Sequence, residues 1–307
     1  MFCPLILVSV VFGSTLCLPD IKTNTRSDQT FNQITFEKEI NKSVKYFEKF
    51  LNDSKIPGAV VGVSINGTQV WAHSFGLTDI ENDVTTRVDS VWRLGSISKS
   101  LTSALIGKFI DEGRLDLEKS IHEYLSPSVF PVKTWKGKNV TITVGQIMSH
   151  TAGLHFLEFE DQYKGLSLNF QNVTQTLRQF KEEGLQFSPG SHWNYSNYGY
   201  QMVGAIIESV LNQTYEKAIN KMFEDLGMDS TFCERRERII PRRARYYITV
   251  NGTDNKPQLG NTIVWDDLVS IEAYWPAGGI VSTVPDLLKF GTKMIKWSKG
   301  GKDSQKG

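Results

Sequence analysis

Ser96 and Lys99 stand three residues apart, so a helix over this stretch puts a hydroxyl and an amine on one face, a single turn from each other. An amine held there and partly stripped of water loses its proton near neutral pH and can take one from the serine. Tyr195 brings a phenol from a second segment, with the amide of Asn197 two residues on. This set of types describes serine acyl transfer. The hydroxyl attacks a carbonyl, the amine and the phenol share its proton, and water later releases the acyl group. The sequence leaves open which of Lys99 and Tyr195 is the base.

The flanking sequence predicts elements able to hold these groups. Leu101, Ala104, Leu105 and Phe109 recur at helical spacing up to Gly113, which puts Ser96 at a helix start, where unpaired amides favour developing negative charge. A serine there could equally serve as a simple cap. Val203, Ile206, Ile207 and Val210 mark a second helix just after Tyr195. Nearer the start, Ile40, Val44, Phe47 and Leu51 predict an amphipathic helix behind a Thr35 cap. Residues 59–65 and 69–75 read as strands joined by Asn66-Gly67, a strong two-residue hairpin signal. Residues 120–190 are polar, with Pro127 and Pro131, and are expected to form a helical lobe walling a cleft. Thr283-x-x-Asp286 with Pro285 opens the last helix.

Longer segments carry a resemblance. Val91–Thr102 around Ser96 and Lys99, Ser149-His150-Thr151-Ala152-Gly153-Leu154, Phe187-Ser188-Pro189-Gly190 running into Tyr195–Tyr200, and Ala277–Thr283 with Asp286–Phe290 fall in the order of four landmarks. They resemble the serine β-lactamase-like and penicillin-binding-protein family, related to class C β-lactamases, over roughly residues 45–295. Arg243-Ala244-Arg245-Tyr246-Tyr247 and Tyr274-Trp275 resemble an animal branch of it. The resemblance implies an α+β, β-lactamase/transpeptidase-like fold, an antiparallel sheet flanked by helices plus an all-helical lobe. It implies catalytic roles for Ser96, Lys99, Tyr195 and Asn197, a substrate-binding role for Gly278 and Gly279, no cofactor, and a small peptide or ester as substrate. Homo-oligomers or filaments belong to the same animal branch.

One family feature is missing from the sequence. No Lys/His-Thr/Ser-Gly triplet follows the double glycine, so the domain, expected over 35–295, is read as incomplete at its C-terminus. Two expectations therefore stand side by side. The first is a serine hydrolase working through an acyl-enzyme on Ser96. The second is a catalytically impaired binding or assembly protein, or a truncated isoform.

Composition narrows the classes further. A formal charge of +1 over 307 residues offers no long-range attraction to nucleic acid. The six arginines between Arg235 and Arg245 are expected to be solvated or internally paired. Phe2–Leu18 is apolar and uncharged, too short for a stable membrane span, and reads as a signal peptide (1–18) ahead of a flexible segment (19–34). The first arginine is Arg26, which speaks against an arginine-rich mitochondrial presequence, the alternative destination. Eight of sixteen asparagines head an N-x-Ser/Thr sequon: Asn41, Asn52, Asn66, Asn139, Asn172, Asn194, Asn212 and Asn251. All but Asn194, expected to be buried beside Tyr195, are candidates for glycosylation in a secreted protein. Three cysteines, two of them in the leader, exclude a disulfide scaffold, and the five scattered histidines predict hydrogen-bonding roles and no metal site. Residues 296–307 read as a disordered tail.

Overall fold

A computed structural model describes residues 7–8, 26–155, 170–235, 237–251, 257–261 and 274–298. In chain order its elements are β1 (Leu7–Val8), α1 (Arg26–Ser54), β2 (Gly58–Ile65), β3 (Thr68–Asp79), β4 (Val84–Thr85), β5 (Trp92–Arg93) and α2 (Ile97–Asp111). After a 3-10 turn at Ile121–Glu123 come β6 (Thr134–Trp135), β7 (Lys138–Asn139) and α3 (Val144–Met148). A second 3-10 stretch, Thr174–Gln179, precedes α4 (Asn197–Leu211), α5 (Tyr215–Asp225), β8 (Phe232–Cys233), β9 (Tyr247–Asn251), β10 (Pro257–Asn261), β11 (Ile280–Ser282) and α6 (Val284–Ser298). The chain divides into two compact units, 1–90 with 242–262 and 283–307, and 91–241 with 263–282.

The first unit is built on the β2–β3 hairpin. Asn66 (φ 51°) and Gly67 (φ 86°) both take left-handed backbone, as a two-residue primed turn demands, and Ile65 pairs directly with Thr68. Alternation sends successive residues of β2 to opposite faces. Ala59 and Val61 pack with Phe75 under Val44, Phe47, Phe50 and Leu51 of α1. On the other face Gly62 meets Val284 and Leu288 of α6. Both faces being covered explains why Gly58–Gly62 is buried throughout. The antiparallel hairpin flanked by helices is the arrangement expected from the sequence. β4 pairs along β3, and β1 adds in parallel to β2.

The second unit is centred on α4. Its sequence is apolar almost all round, and residues 198–208 are buried on every side, as such a helix must be. Gly204 is the point of closest approach, since a Cβ there would fall 2.4 Å from the Pro276 ring. β5, β11 and β8 form a small sheet with β11 in the middle, and β6 and β7 form a separate two-stranded ribbon. The unit is thus helical at its centre but not wholly helical.

Several local expectations shift. α1 begins at Arg26, not behind a Thr35 cap, because residues 26–36 contain neither proline nor glycine to stop it. The only helical pieces in the described part of 120–190 are the five-residue α3 and two 3-10 stretches, beside the β6 and β7 strands; Pro127, Pro131 and the left-handed Gly137, Gly153 and Gly190 break it up. Lys296–Ser298, assigned to the tail, complete α6. The rest of that tail, and the leader apart from Leu7–Val8, lie outside the described residues. In the arginine cluster, Arg235 forks onto Glu216 (2.9 and 2.5 Å), Arg242 reaches Asp89 (2.9 Å) and Arg245 pairs with Glu81, so these cations are internally matched. No described helix is long and apolar enough to cross a membrane.

Candidate active site

The nucleophile segment leaves β5 and enters α2 at Ser96, which occupies the N-cap position. A serine there normally accepts a hydrogen bond from an amide in the first turn. Ser96 does not: it has helical backbone angles (φ −65°, ψ −8°) and makes no side-chain cap bond. Its hydroxyl is directed elsewhere, 2.6 Å from the Tyr195 phenol and 3.2 Å from Lys99 Nζ.

Lys99, one turn into α2, is only 6% exposed. Its Nζ donates to Asn197 Oδ1 at 2.8 Å and to the Ala277 carbonyl at 2.7 Å. Neither acceptor carries a hydrogen on that oxygen, so both fix an N–H of the amine. Burial brings the Lys99 pKa down from 10.5 to about 7. At neutral pH a large fraction of the amine is therefore uncharged. Two N–H bonds are then already committed, and the lone pair is left facing Ser96 Oγ.

The phenol and the amide come from the start of α4. Ser196 caps that helix, its Oγ accepting from the Gly199 amide at 3.4 Å and donating to the His155 carbonyl at 2.6 Å. The cap fixes Tyr195 just before the helix and Asn197 in its first turn. Lys99 Nζ also lies 4.8 Å from the Tyr195 ring centroid and 5.5 Å from that of Tyr200.

Gly278 and Gly279 do not present their amides to Ser96. Both donate to the Tyr274 carbonyl, at 2.7 and 2.9 Å. What this turn supplies is the Ala277 carbonyl on Lys99 and a surface free of side chains, because Gly278 lies against the Gly95 backbone. Thr102 supports the same turn from beneath. Its Oγ1 lies 2.9 Å from the Pro276 carbonyl, 3.0 Å from that of Ser98 and 2.8 Å from the Tyr215 hydroxyl. Glu234, 1% exposed, is forked by Arg93 at 2.5 and 2.9 Å, while its backbone takes the Trp275 indole N–H (2.6 Å) and donates to Gly279 (2.9 Å).

All four residues expected to be catalytic thus converge within one unit, and the two glycines stand beside them. Sequence reasoning missed Ala277, whose contribution is a backbone oxygen with no side-chain signature. His150, second in a landmark segment, was expected only to hydrogen-bond, and it does so beside Tyr195. Asn194, expected to be buried, is partly exposed, with its amide donating to Gln186 Oε1 at 2.5 Å. Asn41, Asn52, Asn66, Asn139 and Asn212 are exposed and Asn172 is half-buried; the Asn251 side chain lies outside the described residues. No group of His, Cys, Asp and Glu among the described residues could hold a metal ion.

This constellation and fold define a class, and the chain belongs to it: residues 44–306 match the Beta-lactamase family. Among curated proteins it is similar to the human serine beta-lactamase-like protein LACTB, mitochondrial, at 30% identity over 85% of this chain and 57% of that protein. The mouse protein of the same name matches equally, at 30% identity over 85% and 58%. The chain therefore spans a little under three fifths of these relatives. Among solved structures it is similar to the octameric penicillin-binding protein homologue from Pyrococcus abyssi (TM-score 0.67, 22% identity, 84% of this chain and 56% of that one). The hydrolase EstCE1, with promiscuous acyltransferase activity, superposes with a TM-score of 0.70 at 20% identity, over 88% and 75% of the two chains. The fold is β-lactamase/transpeptidase-like.

Proposed function

We propose that the chain is a serine hydrolase acting on a small peptide or ester through an acyl-enzyme on Ser96. The observation that carries this is the serine at a helix start whose hydroxyl, instead of capping the helix, lies between the Tyr195 phenol and Lys99. With Lys99 uncharged, Ser96 attacks the carbonyl and its proton passes to the amine or through the phenol. Tyr195 then protonates the leaving group, and a water follows the same path in reverse to release the acyl chain. Asn197 and Ala277 hold the amine in line throughout. The Ser96 amide, at the start of α2, supplies one oxyanion donor. Gly278 and Gly279 offer the substrate a smooth wall.

A fluorophosphonate probe tests this. Labelling that vanishes in Ser96→Ala supports the hydrolase, and a folded sample that takes no label overturns it. The alternative is a binding or assembly protein without turnover. It gains interest from the octamer named for the Pyrococcus abyssi protein. Failure to label would leave that alternative standing, with light scattering to read self-association.

For location we propose the secretory route, on the apolar Phe2–Leu18 run and the exposed sequons. The curated relatives carry "mitochondrial" in their names, which supports the other destination. Endoglycosidase treatment decides: a mobility shift supports secretion, and unmodified chain in mitochondria overturns it.

A further inference from the structure

His150 brackets the catalytic phenol from both sides. Its carbonyl accepts from the Asn194 amide at 3.0 Å, and its Nδ1 accepts from the Ser196 amide at 3.2 Å. Between those two amides lies Tyr195, whose ring sits against the imidazole with centroids 4.5 Å apart. His150 itself has left-handed backbone (φ 63°), which turns carbonyl and ring toward the same segment. One residue therefore fixes the main chain before and after the phenol and packs on its face.

We infer that His150 is a positioning residue for Tyr195 and works only as the neutral imidazole bearing its proton on Nε2. The inference rests on the hydrolase proposal for its kinetic consequence, but not for its geometry. Nδ1 can accept from Ser196 only while it carries a lone pair. Protonation would put an N–H against an N–H and break one side of the bracket. The titratable groups against the ring are Lys99 from α2, Tyr195 from the preceding loop and Tyr200 from α4, with ring centroids 5.7 Å apart for the last. Burial, with the Lys99 charge adding to it, holds the imidazole pKa below its usual 6.5. The neutral form is thus the resident one at pH 7.

Two variants separate acceptor from ring. His150→Asn places an amide oxygen near the Nδ1 position, tolerates left-handed backbone and does not titrate. His150→Phe keeps an aromatic face on Tyr195 and removes the acceptor. The expected result is Ser96 labelling within about tenfold of wild type for His150→Asn, and a loss of up to about a hundredfold for His150→Phe, the scale of a misplaced catalytic group. On the acid side, wild type should lose activity more steeply than His150→Asn, because two groups gain protons in the first and only Lys99 in the second. Equal losses in both variants, or parallel acid limbs, overturn the inference. Nitrogen NMR of the unlabelled wild type reads the tautomer without any turnover, with Nε2–H expected and Nδ1–H overturning the proposal. Absence of labelling in wild type would instead defeat the hydrolase proposal, leaving the tautomer measurement to decide the role of His150.

Discussion

The Ala277 carbonyl oxygen lies 2.7 Å from Lys99 Nζ, across 178 residues of sequence. A main-chain oxygen at that distance cannot be neutralised by a proton, so one N–H of the amine is committed in every protonation state. With Asn197 fixing another, the remaining direction points at Ser96.

This sets a pH dependence. In the proposed mechanism the uncharged amine is the working form, so the rate of Ser96 labelling should rise with pH and reach half its maximum at about 7. Stability follows the same group. Unfolded lysine keeps its proton up to 10.5 whereas the folded amine gives it up at about 7, so the unfolded chain binds more protons between those values. Lys99 should therefore make the fold more stable as pH climbs through that window. Urea titrations of wild type and Lys99→Met at several pH values read the difference, and an identical slope in both would contradict it.

Thr102 and Tyr215 are both fully buried, and each hydroxyl is the other's partner. Thr102→Val keeps the shape while stranding the phenol and loosening the Pro276 carbonyl. A loss of about 1–3 kcal/mol is expected from an unpaired buried polar group. The midpoint of chemical denaturation gives the number, and a neutral substitution would mean that water replaces the threonine.

Arg93→Met removes the fork from a carboxylate that is 1% exposed. Breaking a buried pair by removing one partner costs about 3–5 kcal/mol. The double variant Arg93→Met with Glu234→Leu should recover much of that loss. Calorimetric melting of the three proteins checks the cycle, which fails if the single and double changes cost the same.

Gly67→Ala tests the hairpin. Its φ of 86° disfavours any side chain, and a Cβ would fall 3.0 Å from Thr292 Cγ2 of α6. About 1 kcal/mol or more of destabilisation is expected, visible as a lower melting temperature. Stability equal to that of wild type would show that the turn can relax to another type.

Much of this was legible in the residues. Asn66-Gly67 dictated its turn, and the apolar spacing of 101–109 and 203–210 dictated α2 and α4, because backbone strain and burial act locally. Ser96, Lys99, Tyr195 and Asn197 could be named because their chemistry lies in their side chains. Ala277 could not, since any residue offers a carbonyl and only tertiary packing aims it. The two glycines take their substrate-binding role from the family resemblance alone; the structure turns their amides inward, onto Tyr274. Thr35 has the chemistry of a cap, yet α1 starts nine residues earlier because nothing in the preceding residues breaks a helix.

Glu208 ties two loops to α4. Its carboxylate, 8% exposed on α4, accepts from the Val173, Thr174 and Tyr215 amides and from the Thr174 hydroxyl, at 2.6–3.0 Å. One anion thereby stands in as the terminus cap for two separate elements. Loops 170–174 and 211–215 cannot change length without stranding a charge indoors, so tags and inserted epitopes belong elsewhere. The β6–β7 ribbon, turning through exposed Lys136 and Gly137 with φ 50° and 76°, is the natural place for such grafts.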